Sequence, residues 1–254
     1  MPLVDTHCHI HDGEFYHDNR EEAYRTAREA GVTMVCVGTS LVSSREAVAF
    51  CAAHEGCYPV VGVHPHDTQT LDIDQLRQLI IDHREDIVGI GEIGLDYFYS
   101  HNPREVQIAA LRAQLALAVE FDLPVSFHVR EAFDDFWPIF DEFPGIRGVL
   151  HSFTDTQAQL DAALQRGLLI GVNGISTFTK NPDQQQLFTT VGLEHMLLET
   201  DAPFLTPKPF RGKMNIPAYV ALVAQHQADI KHVSLDEVTA ITAINAEKVF
   251  GISL

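Results

Sequence analysis

The chain has 254 residues, 46% hydrophobic and 20% charged, and carries a net charge of −18 from 17 basic and 35 acidic side chains. That balance argues against a broad electrostatic grip on nucleic acid, which usually needs a basic face, but it does not exclude phosphate drawn in by a few local cations or bound metal ions. No apolar run approaches the ~20 residues needed to cross a bilayer. The start, MPLVDTHCHI, lacks the basic region and cleavage site of a signal peptide, so a cytoplasmic protein with no membrane partner is expected. Cys8, Cys36, Cys51 and Cys57 show no CxxC or zinc-finger spacing and read as reduced thiols.

Along the chain, short apolar runs alternate with amphipathic stretches. Residues 3–10 (LVDTHCHI) predict a first strand, followed by a helix over 20–31 that ends at Gly31 as a C-cap. Strands are predicted at 33–39, 58–64, 86–94, 123–129, 147–153, 168–174 and 195–201, which makes eight. Helical spacing is clear over 105–122 and over 156–167, which ends at Gly167, and weaker over 74–84 and 182–191. A proline-rich, basic stretch at 202–217 reads as a long functional loop, with helical patterns at 217–230 and 234–250 after it. Strands rich in Val, Ile and Leu, each followed by a helix, are buried parallel strands joined by crossovers. Eight such units in a chain this long fit a closed (β/α)8 TIM barrel, typically roughly 250 residues, better than an open doubly wound sheet. No composition break or Pro/Gly/Ser linker divides the chain, so one domain over 1–254 is expected.

In a parallel barrel the active site gathers at the C-terminal strand ends. The metal-type residues fall there. His7 and His9 end the first predicted strand, His64 the third, His128 the fifth, His151 the sixth and Asp201 the eighth, with Glu92 near the end of the fourth. Side chains two apart on a strand share a face, so His7 and His9 can grip one ion, and Asp5 would lie one layer deeper and orient a ligand. Glu92 sits between glycines in GIGEIGLD (89–96), which leaves room for ions, and a carboxylate buried there needs cations beside it. Asp96 and Tyr97 could line the site or pack in the loop. His64 could hold a substrate oxygen near the metals, and His66 is a weaker candidate. Arg130 follows His128 by two on the same strand and suits forked contacts with phosphate oxygens. Lys208, Arg211 and Lys213 crowd the loop after strand eight, where they could meet an anionic substrate or simply be solvated.

These residues carry a family likeness. DTHCHI (5–10), GVHPHD (62–67), GIGEIGLDY (89–97), FHVR (127–130), LHSF (150–153), LLETDAPFL (197–205) and RGKMNIPAYV (211–220) occur in the order of the TatD-type deoxyribonucleases, within the amidohydrolase-like metal hydrolases, and the chain resembles that family over nearly its whole length. The resemblance implies that His7, His9 and Asp201 hold one metal and His128 and His151 a second, with Glu92 bridging them. It implies magnesium-, manganese- or zinc-using DNases, often 3′→5′ exonucleases on single strands. The sequence departs from the family loop RGKRNEP at Met214 and Ile216, which removes a cation from the expected DNA grip and leaves the metal residues untouched.

The expected chemistry is phosphodiester hydrolysis of DNA by a water activated between two divalent cations, with Asp201 as general base and Arg211 or Arg130 stabilising charge on phosphoryl oxygens. Nitrogen and oxygen ligands without thiolates suit Zn, Mn, Fe, Co or Mg equally. Cys8, between the two histidines, points to the opposite face and is not a ligand. The acidic charge favours a rival reading on the same centre: hydrolysis of a small ester, lactone, amide or phosphate ester, or of an aminoacyl-nucleic acid ester. A non-catalytic barrel that stores metal is the third. A monomer is expected.

Overall fold

The computed structural model describes residues 1–99 and 101–254. Eight strands follow one another in the sheet in chain order: β1 (Leu3–Cys8), β2 (Val32–Val37), β3 (Cys57–Val61), β4 (Gly89–Asp96), β5 (Val125–Arg130), β6 (Gly148–Leu150), β7 (Leu169–Val172) and β8 (Met196–Leu198). Helices alternate with them: α1 (Gly13–Tyr16), α2 (Arg20–Glu29), α3 (Leu41–Ala53), α4 (Ile73–Asp82), α5 (Arg104–Glu120), α6 (Phe133–Asp141), α7 (Gln157–Gln165), α8 (Ile175–Phe178), α9 (Pro182–Thr190), α10 (Val220–Lys231) and α11 (Leu235–Phe250). The described strand pairings are parallel, and β8 returns to β1 through a parallel bridge between Cys8 and Ala202. The fold is a (β/α)8 barrel.

Every predicted strand is present, but most are shorter than the apolar pattern suggested. His9, His64, His151 and Asp201 each lie just past the last residue of their strands. Their backbones keep a single bond to a neighbouring segment (His9 N to Ala202 O, 2.8 Å; His64 N to Thr39 O, 2.8 Å; His151 N to Phe127 O, 2.9 Å; Asp201 N to His7 O, 2.9 Å) while the chain turns out of the ladder. Helices α3 and α6 were not marked by periodicity. Helix α3 (LVSSREAVAFCAA) spreads small and apolar residues round its surface and starts at Ser40, whose side chain accepts from Ser43 N. Helix α6 is short, aromatic and carries Pro138 inside it.

The chain forms two compact units. The first, Met1–Cys36 with Ser152–Leu254, holds β1, most of β2, β7 and β8. Its strand β1 is bulged: Asp5 pairs with Met34 and Cys8 with Cys36, three residues against two. Cys8 is buried and its thiol donates to Val35 O. The second unit, Val37–His151, holds β3 to β6 and α3 to α6. In β5 the ring of Phe127 packs on Phe136 and Phe140 of α6, at 5.1 and 5.8 Å between centroids. Burying such a ring contributes about 2–3 kcal/mol, and it turns the alternate residues Ser126 and His128 to the other face of the strand. Strand β4 is also bulged, between Ile90 and Ile93, around Glu92.

Candidate metal centre

The first unit gathers His7, His9 and Asp201, whose ligand atoms all lie within 4.8 Å of one another. His9 Nε2 is 3.4 Å and His7 Nε2 4.0 Å from Asp201 Oδ1, and the two imidazoles meet edge to face at 5.1 Å. Asp201 has φ 56°, in the left-handed region that a short polar residue tolerates better than a branched one. That turn is held from behind. Asp5, buried, holds the segment next to Asp201: it accepts from Thr200 N at 2.8 Å, is paired with Thr200 Oγ1 at 2.5 Å, and its Oδ1 also accepts from His7 N at 3.4 Å. Burial, opposed by the Thr200 bonds, raises the Asp5 pKa to about 8. Buried Asn215 donates to the carbonyls of Thr200 (2.9 Å) and Phe204 (2.6 Å), and its own carbonyl accepts from Tyr16 Oη.

The second unit gathers His64, Glu92 and His128. Glu92 Oε1 lies 2.9 Å from His128 Nδ1, 3.5 Å from His64 Nε2 and 3.9 Å from His151 Nε2. His64, expected near the metals but not among their ligands, thus stands in the same cluster. Its Nδ1 accepts from His66 N at 3.1 Å, and burial, despite Glu92, lowers its pKa to about 3, so it is neutral. Asp96 is a second carboxylate of this cluster. Its Oδ2 lies 3.0 Å from Nε2 of both His66 and His128, and its Oδ1 accepts from the Phe98 and Tyr99 amides, each at 3.0 Å. Burial opposes ionisation of Asp96, but bonds from His128, the Tyr99 amide and His66 outweigh it and hold its pKa well below the usual carboxylate range. Burial likewise works against a charge on His128, and the bonds to Asp96 and Glu92 overcome it, raising its pKa to about 9.

The donor set fits divalent cations. Imidazole nitrogens and carboxylate oxygens face one another, and carboxylates as buried as Glu92, 4% exposed, call for positive charge beside them. The cations expected to meet substrate are placed differently. Arg130 is exposed, with its Cζ 3.8 Å over the Phe98 ring. Arg211 is engaged within its own loop, Cζ 3.7 Å over the Phe178 ring and Nη1 donating to Thr206 O at 3.0 Å. Lys208 and Lys213 are exposed.

Sequence reasoning left Asp96 open, ranked His66 low and passed over Glu199. Glu199 is fully buried, and its Oε1 accepts from Ser152 N at 2.7 Å and from Asn173 Nδ2 at 3.4 Å. The available signal was position: Glu199 stands two residues before Asp201, and Asp96 four after Glu92.

The family model described as "TatD related DNase" matches residues 4–251. A relative from Erwinia amylovora named "3′-5′ ssDNA/RNA exonuclease TatD" is 34% identical over 98% of this chain and 100% of its own. The "uncharacterized metal-dependent hydrolase YabD" of Bacillus subtilis is 32% identical over 99% of this chain and 100% of its own. Among solved structures, the TatD homologue YjjV of Escherichia coli superposes with a TM-score of 0.91 at 28% identity, covering 99% of this chain and 98% of that one. A barrel of the same fold, matched end to end and carrying imidazole–carboxylate clusters at its strand ends, belongs to the TatD-related DNase family.

Proposed function

We propose that the chain is a divalent-metal-dependent nuclease that hydrolyses phosphodiester bonds from the end of single-stranded DNA, in the 3′→5′ direction. The observation that carries this is the pair of histidine–carboxylate clusters at strand ends, His7–His9–Asp201 and His64–Glu92–His128. In this reading the two units work as one hydrolase domain over 1–254, a cytoplasmic monomer. His7, His9 and Asp201 would hold one divalent cation and His128 and His151 another, with Glu92 as a carboxylate ligand. The names of the relatives from Erwinia amylovora and Bacillus subtilis support both the metal and the substrate class.

Divalent cations held there would supply Lewis acidity and bring the pKa of a bound water toward neutrality. The chain's own residues do the rest. Asp201, with its side chain 15% exposed, accepts the water's proton at its carboxylate. Neutral His64 donates from Nε2 to an oxygen in the site, because its Nδ1 is already committed as an acceptor to His66 N. Arg130 and Arg211 hold phosphoryl oxygens through their forked N–H groups.

Glu92→Ala tests the scheme. Metal content measured by mass spectrometry and cleavage of end-labelled single-stranded DNA should fall together, while circular dichroism stays that of the wild type. Full activity in that variant refutes the mechanism. The net charge of −18 favours a small ester, lactone, amide or phosphate ester instead. The two readings part on salt: a nuclease loses affinity for single-stranded DNA steeply as salt rises, and an enzyme of small neutral esters shows no DNA binding to lose.

A further inference from the structure

Beyond Asp96 the chain leaves β4 through Tyr97, Phe98 and Tyr99. The Phe98 and Tyr99 side chains are 48% and 44% exposed, and their rings meet edge to face at 4.7 Å. This is costly apolar surface, yet it is fixed in place, because Asp96 Oδ1 holds both backbone amides. The carboxylate that meets His128 therefore also sets the height of these two rings. Arg130, at the end of β5, lays its guanidinium over both, Cζ 3.8 Å from the Phe98 centroid and 4.9 Å from that of Tyr99. Among the described residues no oxygen accepts a hydrogen bond from Arg130, so its N–H edges stay open. Tyr99 stacks in turn on His101, with centroids 5.6 Å apart and planes at 23°, and the row borders an open cleft lined by His66, Asp67, Gln69, Thr70, His101 and Asn102.

Aromatic faces bind unpaired bases of any sequence, because every base has a π-face. A guanidinium pinned to a ring keeps the fork that matches phosphate oxygens, with less freedom to lose on binding. We propose that Phe98, Tyr99 and Arg130 form a nucleotide shelf: an aromatic face takes a base of single-stranded nucleic acid and Arg130 takes an adjoining phosphate. The shelf rests on the nuclease reading and adds how that substrate is read. It gives an acidic protein a local grip in place of a basic face. It also selects single strands, since a base paired in a duplex has no free face to offer.

The test uses the metal-loaded enzyme and three substrates: an end-labelled single-stranded oligonucleotide, the same oligonucleotide with an abasic stretch at its 3′ end, and bis(p-nitrophenyl) phosphate. The abasic strand keeps the phosphates and lacks the stacking partners. Wild type should show a KM on the order of tenfold lower for the base-bearing strand, the size of one stacked base. Phe98→Ala should raise KM for the base-bearing strand by a similar factor and abolish the preference, and Phe98→Trp should restore it. Wild-type cleavage of DNA with no preference for bases, or a Phe98→Ala variant that keeps the preference, overturns the shelf alone. A wild type that hydrolyses the small diester but neither binds nor cleaves DNA overturns the nuclease reading and the shelf with it.

Discussion

Asp96→Asn exchanges one oxygen for nitrogen at a carboxylate with four short contacts. Oδ2 faces the Nε2 atoms of His66 and His128, and Oδ1 receives the Phe98 and Tyr99 amides, all at 3.0 Å. The asparagine can keep its oxygen on the two amides, but it then presents an NH₂ group to both imidazoles, and His128 loses the acceptor that fixes its ring. Partners that orient a metal-binding imidazole are typically worth about 10–100-fold in metal affinity or activity, which is about 1.4–2.8 kcal/mol. The direct cost of a hydrogen bond to a charged group, about 1.5–3 kcal/mol, is the same size. Asp96→Asn should therefore weaken Mn²⁺ binding by about 30-fold, read by calorimetric titration of the metal-free protein, and leave the 97–99 turn in place. Asp96→Ala loses the loop amides as well, about 2 kcal/mol more at roughly 1 kcal/mol per bond, and should speed hydrogen exchange at Phe98 and Tyr99. An asparagine variant that binds Mn²⁺ within twofold of wild type would refute the orienting role. An alanine variant whose two amides exchange as slowly as before would refute the anchoring role.

Two further outcomes follow from parts of the fold that position the first cluster or lie away from both. Asn215→Ala leaves the buried carbonyl of Thr200 and the part-buried carbonyl of Phe204 without their amide donor; at about 1–3 kcal/mol for the buried unmet group the unfolding free energy in denaturant should fall by about that amount, with weakened metal binding through the displaced Asp201, and a loss under about 0.5 kcal/mol would show that the amide does not hold this turn. His226 on α10 is half-buried, and burial, opposed by its hydrogen bond to the Ser176 backbone and by Asp229 and helped by Lys208, lowers its pKa below 6.5. The unfolded chain then binds a proton that the folded chain refuses, so this contribution to stability is complete above pH 6.5 and is lost as pH falls below it; His226→Gln should flatten the decline of the unfolding midpoint between pH 7 and 5, and an unchanged slope would remove the assignment.

The fold was legible because its signal is repetitive. Eight short Val/Ile/Leu runs separated by helical spacing leave few arrangements, and each run proved to be a strand. The candidate ligands stand out in the sequence for a related reason: polar side chains inside apolar runs are rare, and His7, Glu92 and His128 each interrupt one. Helix α6 escaped because it is short and carries Pro138 inside it, although its buried Phe133, Phe136, Ile139 and Phe140 stand at helical spacing. The partner of Asp5 escaped, since Thr200 lies 195 positions away and no local rule connects them.

The ladders are irregular at the two places that matter most. Strand β1 is bulged around His7 and β4 around Glu92, yet His7 and His9, two apart, still meet beside Asp201. A bulge spends an extra residue to re-aim a side chain, and here each re-aimed residue is a candidate ligand. In β4 the trace of this was in the sequence as glycine. A Cβ at Gly91 would stand 2.8 Å from Ser126 Cβ, and one at Gly94 would stand 1.8 Å from His128 O, so only glycine lets β4 press against β5 while Glu92 turns toward His128. The two glycines that flank the glutamate are thus part of what delivers it.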